Sequence, residues 1–178
     1  MAGGTWTTSG GSKNFWVVCN NNWTKTGGTL GTGVYNLRMI GITKTISCNA
    51  GSFGGMDIVG TVTLLTSTNC EYKFYTGVNG VLTINTGITC RMSTHNLPGF
   101  IFQNNGLVQG PGTMTMSFGS SDQTLNMGVI NTPFRIYWLT GTANTKLIFS
   151  GNAVFGSTLL IDSASGTYTM TVDLNGHS

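Results

Sequence analysis

The sequence predicts an all-β domain, an elongated immunoglobulin-like or jelly-roll β-sandwich with two disulfides. Three observations predict it. Short apolar or alternating runs are punctuated by Gly, Asn, Ser and Thr about every ten residues. Charged residues make up only 7%, against an average of about 25%. Four cysteines occur with no Cys-x-x-Cys pair among them. The 178 residues fit a single domain, 1–178, with 1–13 as a loose lead-in or edge segment and 175–178 as a tail. A chain of this length buries roughly 70% of its unfolded surface and needs no metal to fold.

Taken in order, each run reads as a strand or a turn. Residues 1–13 are small and polar, with one tryptophan, Trp6, that no pattern places. Phe15-Trp16-Val17-Val18-Cys19 is an apolar strand, followed by turn-prone Asn20-Asn21-Asn22. The next run sets Val34, Asn36, Arg38 and Ile40 on one face against Tyr35, Leu37 and Met39 on the other. Thr43 to Cys48 alternates again, and Ile58 to Leu65 is a strand of mixed burial. Cys70, Tyr72 and Phe74 oppose Glu71, Lys73 and Tyr75, so one face is solvated. Asn79-Gly80 is a two-residue hairpin signal leading into Val81 to Ile84.

Phe100 to Phe102 is short and apolar, and Gln103 to Gly112 reads as a loop of little regular structure. Met114, Met116 and Phe118 alternate with Thr115 and Ser117. Leu125 to Ile130, Phe134 to Leu139, Lys146 to Phe149, Ser157 to Ile161 and Thr167 to Leu174 complete the series. No helix and no internal repeat emerges. Pro98, Pro111 and Pro133 fall between runs, where they cost no ladder hydrogen bond. Trp16, Phe102 and Trp138 read as core.

Cys19, Cys48, Cys70 and Cys90 read as two disulfides formed in an oxidising, extracellular setting. Three pairings exist, and Cys19–Cys48 with Cys70–Cys90 is favoured because each pair brackets one or two strands. With only His95 and His177 to assist, a zinc site is unsupported.

Charge excludes further classes. Eight Lys and Arg against five acids give a net charge of +3. The bases form no run, unlike the concentrated positive face of a nucleic-acid binder. No apolar segment approaches the ~20 residues of a membrane helix. No apolar stretch follows Met1, so a secreted form has lost its leader.

Asp57, Glu71, Asp122, Asp162 and Asp173 sit in no recognisable pair, and no Gly-x-Ser-x-Gly elbow presents a serine. The stretch Gly27 to Gly33 lacks the Lys-Ser/Thr ending of a phosphate loop. His95 reads as a surface turn histidine. The chain is therefore expected to bind rather than catalyse, without cofactor or metal.

Sugar sites combine an aromatic platform with amides and a carboxylate. Three segments carry that mixture: Asn21, Asn22 and Trp23; Gln103, Asn104 and Asn105; and Asp122 in Ser120-Ser121-Asp122-Gln123. Each also has a plainer reading, as a Trp under a turn, a surface loop or an Asx-turn. Asn22-Trp23-Thr24 fits a glycosylation sequon.

In its Thr/Gly/Asn-rich strands, sparse charge, cysteines and closing strand Gly166 to Leu174, the chain resembles the receptor-binding domain of chaperone–usher fimbrial tip adhesins. The resemblance spans the chain but carries no binding motif. It implies a lectin-like, monomeric domain at a bacterial surface that attaches to a host glycan or matrix glycoprotein. It also implies a pilin domain C-terminal to this chain and further pilus subunits as partners. Residues 1–13 lack the alternating apolar pattern of a donor strand, which favours a self-sufficient domain. The alternatives are a viral or phage structural protein, a capsid jelly roll or fibre tip, and a free secreted lectin.

Overall fold

The computed structural model describes residues 15–26, 35–48, 52–93, 101–119, 121–138, 144–163 and 168–178. His95, Trp6 and the Gly27–Gly33 stretch lie outside these residues. In chain order the strands begin with β1 (Phe15–Cys19), β2 (Trp23–Lys25), β3 (Tyr35–Met39), β4 (Lys44–Cys48), β5 (Ser52–Ile58) and β6 (Thr61–Leu64). There follow β7 (Thr68–Thr76), β8 (Val81–Ile84), β9 (Thr89–Ser93), β10 (Ile101–Asn104), β11 (Leu107–Gln109) and β12 (Thr113–Phe118). The last are β13 (Gln123–Asn126), β14 (Gly128–Asn131), β15 (Phe134–Trp138), β16 (Thr145–Phe149), β17 (Ala153–Phe155), β18 (Leu159–Ser163) and β19 (Met170–Asp173).

These strands pair in parallel, each with its counterpart one pass of the chain earlier or later. One sheet of seven strands runs β17-β14-β11-β8-β6-β4-β2. The other has twelve strands and forks at β7, whose Thr68–Cys70 end pairs with β9 and whose Lys73–Thr76 end pairs with β10. One branch continues through β12, β15 and β18, the other through β13, β16 and β19. The chain therefore winds as a β-solenoid.

One interior row shows the winding. Leu37, Met56, Phe74, Phe102, Leu125 and Phe149 are successive Cα partners, and all are buried. The steps between them are 19, 18, 28, 23 and 24 residues.

The solenoid replaces the predicted immunoglobulin-like or jelly-roll sandwich. Alternation fixes which residues face inward, and that period is the same in parallel and antiparallel sheets. Only the connections tell them apart: a parallel neighbour needs a crossover of a dozen or more residues, which every step above supplies. Asn79-Gly80 accordingly makes no hairpin. It turns a corner, with Gly80 N donating to Gly77 O at 2.8 Å, and β7 and β8 lie in different sheets.

Other boundaries shift for the same reason. The predicted loop Gln103 to Gly112 contains β11, and Leu125 to Ile130 divides into β13 and β14 around Met127. Ile58 to Leu65 divides at Gly60, where β5 ends and β6 begins. A Cβ on Gly60, Gly80 or Gly106 would strike a backbone carbonyl of the coil beneath, Gly41, Ile58 and Gly80 respectively. Glycine at this corner lets successive coils approach.

All four cysteines are free thiols, which corrects the two predicted disulfides. In a ladder one coil deep, Cys70 stands opposite Met92 and Cys90 opposite Thr68. The two are diagonal neighbours, roughly 7–8 Å apart, beyond the reach of an unstrained disulfide. Cys19 stands opposite Met39 in the larger sheet, and Cys48 opposite Lys25 in the smaller. Burial pushes the Cys90 thiol up to about 12 and raises those of Cys70 and Cys48 as well.

The interior is apolar and stacked. Phe74, Phe102, Phe134 and Phe155 form a column with centroids 5.1, 6.4 and 6.4 Å apart and planes within 20° of parallel. A fully buried phenyl contributes about 1.5–3 kcal/mol relative to exposure. One amide interrupts the column's surroundings: Asn104 is fully buried, and its Nδ2 donates to Met127 O (2.7 Å) and Val129 O (3.0 Å). Its Oδ1 accepts from Thr76 Oγ1. Three passes of chain are tied by that one side chain.

The Asn/Thr/Ser-rich composition finds its use at the coil corners. Asn22 Oδ1 accepts from Thr45 N (3.0 Å), Asp122 Oδ1 from Lys146 N (2.7 Å) and Asn144 Oδ1 from Thr169 N (2.9 Å). Ser67 Oγ does the same for Thr89 N at 3.0 Å. Parallel coils leave corner N–H groups beyond their ladders, and short polar side chains satisfy them.

Candidate functional site

The site begins with a strand parity. In β1, Val17 packs against the interior, so Trp16 and Val18 project outward. Trp16 therefore stands on the outer face, half-buried, where the sequence reading had placed it in the core. Phe102 is core; the Trp138 side chain lies outside the described residues.

The parallel register carries the same parity through five strands, β1, β3, β5, β7 and β10. Val18, Arg38, Asp57, Tyr75 and Gln103 form one outer row, and Trp16, Asn36, Gly55, Lys73 and Ile101 the next. Gly55 opens this surface. A Cβ there would crowd the Asn36 side chain and lie 3.2 Å from Lys73 Cβ. On this face lies a cleft of about 340 Å³ lined by Trp16, Arg38, Asp57, Lys73, Tyr75 and, from the adjoining corner, Thr76, Gly77 and Asn105.

Its charged pair is well fixed. Arg38 Nε donates to Asp57 Oδ2 at 2.6 Å, and the guanidinium carbon lies 5.2 Å from the Trp16 ring centroid. Asp57 is 8% exposed, unusual for a carboxylate on an outer face. Tyr75 lies 6.5 Å from Trp16, ring to ring, at 57°. Burial, with the Asp57 charge, raises its hydroxyl above the ordinary tyrosine range, so it stays a neutral donor. A carboxylate accepts about four hydrogen bonds and a guanidinium donates five. The contact through Nε and Oδ2 uses one of each, so the pair has capacity for a ligand's hydroxyls.

The structure distributes the predicted binding residues widely. Asn105 is exposed and lines the cleft, and Gln103 is exposed in the outer row beside Tyr75. Asn104 is interior, holding Met127 and Val129. Trp23 is 8% exposed and packs edge-on to Phe53 at 6.3 Å, far from an open platform. Asn21 is exposed in its turn, and its carbonyl accepts from the Cys19 thiol. Asn22 and Asp122 are exposed corner residues that accept backbone N–H groups.

Trp16, Arg38, Asp57 and Tyr75 were missed as a group. Their only sequence signal is an outward parity shared by four strands, and it becomes informative once those strands are known to be neighbours. Among the described residues, no group of three or more His, Cys, Asp or Glu side chains could hold a metal. Each acid has a protein partner: Arg38 for Asp57, Ser52 for Glu71, Lys146 N for Asp122, Arg135 for Asp162 and Asn175 N for Asp173. Comparison with protein-family models, curated proteins and solved structures found no match to this chain.

Proposed function

We propose that this chain is an attachment protein whose outer cleft binds a saccharide, free or carried by a glycoprotein. The observation that carries the reading is a half-exposed indole flanked by an ion pair, a tyrosine and an amide in one opening. The indole offers a face for the apolar side of a sugar ring, and the polar groups match its hydroxyls. The adhesin likeness supports attachment at a bacterial surface. The fimbrial tip, the C-terminal pilin domain and the pilus partners rest on that likeness alone, and the sandwich it implied is replaced by the solenoid.

The test is a glycan array printed alongside fibrinogen, collagen and fibronectin, with titration of any hit. Trp16→Ala should weaken selective binding by at least about tenfold, near 1.4 kcal/mol. Binding that survives both Trp16→Ala and Asp57→Asn would remove the cleft from the reading. A second reading, a viral or phage structural protein, is favoured by the four free thiols, the state expected of a chain assembled in a reducing cytosol. A closed trimer by light scattering, with no array binding, would select it.

A further inference from the structure

The outer row that lines the cleft continues past its rim. Gln103 is the Cα partner of Asn126 in β13, so the row reads Arg38, Asp57, Tyr75, Gln103 and Asn126 across successive coils. Four strand spacings separate its ends, roughly 19 Å at about 4.8 Å each. The lining of the cleft ends at Tyr75 and the corner residue Asn105, and a single sugar ring covers only part of such a row. The positions beyond carry amides. Gln103 is exposed and Asn126 half-buried. Asn126 Nδ2 donates to Asn105 Oδ1 at 2.9 Å, which fixes the two amides against each other. A primary amide donates two hydrogen bonds and accepts two, so the pair keeps an Asn105 donor and an Asn126 acceptor for a ligand.

The direction of the row decides the kind of ligand. It runs along the solenoid axis, across the strands rather than along them. β3, β5, β7, β10 and β13 each have a ladder neighbour on both sides, so an extended peptide finds no free strand edge to pair with. Contact has to be made through side chains. Those along the row are an ion pair, a phenol and amides, groups that match hydroxyls presented one after another along a chain.

We infer that the row binds an internal stretch of a linear polysaccharide, several sugar rings laid along the solenoid axis, rather than a single terminal sugar. The inference rests on the saccharide reading of the cleft and extends it. Trp16 and the Arg38–Asp57 pair hold one end of the ligand, and Gln103 and Asn126 are reached only by a longer one.

Calorimetric titration of the full chain with linear oligomers of glucose, mannose, N-acetylglucosamine and galacturonic acid, each from monosaccharide to hexasaccharide, tests it. Within a series that binds, affinity should climb by at least about tenfold from disaccharide to hexasaccharide. Gln103→Ala and Asn126→Ala should each weaken the hexasaccharide about three- to tenfold, the loss of one hydrogen bond, and leave the disaccharide unchanged. Gln103 is exposed, and an unchanged melting curve verifies that its variant still folds. Trp16→Ala should weaken every length. Equal affinity at all lengths, or a hexasaccharide gain that survives both amide variants, would overturn the inference and leave the cleft as a site for one sugar. Binding of no sugar at any length, with or without capture of deglycosylated fibronectin, would remove the saccharide reading and the inference with it.

Discussion

The middle coils and the last coil use the same parts and hold them differently. Phe102 and Phe155 stand in one aromatic column, but Phe102 is 2% exposed while Phe155 is only half-buried. Asn104 and Asn152 both serve backbone groups of a neighbouring pass. The first does so fully buried with three bonds, the second exposed, with Ser178 N at 3.3 Å. A sandwich shares one core among all its strands. In a solenoid each coil is closed by the coil above and the coil below, so stability approximates a sum of nearest-neighbour terms.

The sharpest way to break this comparison is paired truncation. Phe102→Ala should cost about 3–5 kcal/mol in chemical denaturation, and Phe155→Ala less than half of that. Equal losses would mean that the last coil is covered in solution. Asn104→Ala strands two carbonyls and a hydroxyl in the interior and should cost about 2–3 kcal/mol. Asn152→Ala should cost about 0.5 kcal/mol or less.

Alkaline pH tests the interior in another way. The Cys90 thiol ordinarily ionises at 9.0 and is pushed up to about 12 by burial, and Cys70 is raised for the same reason. Their folded values lie above the unfolded one, so their contribution is complete below pH 9 and is lost as pH rises toward 12. Cys90 alone should account for on the order of 2 kcal/mol by about pH 11, and Cys90→Ala should flatten the pH profile accordingly. The smallest effect is expected at the surface pair near the last coil. Arg135 Nε donates to Asp162 at 2.7 Å in open solvent, so Asp162→Asn should leave Tm unchanged.

Much of the local structure is legible in the sequence. Leu37 and Met39 fall inside and Arg38 outside, as alternation requires. Met114 and Met116 are buried between partly exposed Thr115 and Thr113. Tyr72 shows the limit. Alternation groups it with Cys70 and Phe74, yet it is exposed, because β5 and β7 change register between Phe53 and Gly55 and bend the sheet there.

Strand neighbours are the larger omission. The corner glycines Gly41, Gly60, Gly80, Gly106, Gly128 and Gly151 recur after 19, 20, 26, 22 and 23 residues. Corners of different length blur that period, so the repeat does not declare itself. The cleft inherits the same obscurity. Trp16 sits in an apolar five-residue run that resembles a doubly buried strand, whereas its neighbour Val17 is the residue that packs inward. Cysteine count and composition suggested oxidation, but pairing depends on ladder register, which only the coil lengths set.

The glycine corner makes the chain a ruler. Each further coil adds one strand spacing, about 4.8 Å, at a cost of roughly one corner and two or three short strands. The seven strands of the smaller sheet already set a span of about 29 Å at that spacing. Duplicating one coil between two corner glycines would lengthen the rod by a fixed increment without changing which residues face inward. Length along the axis can thus be altered separately from the chemistry displayed on the sides.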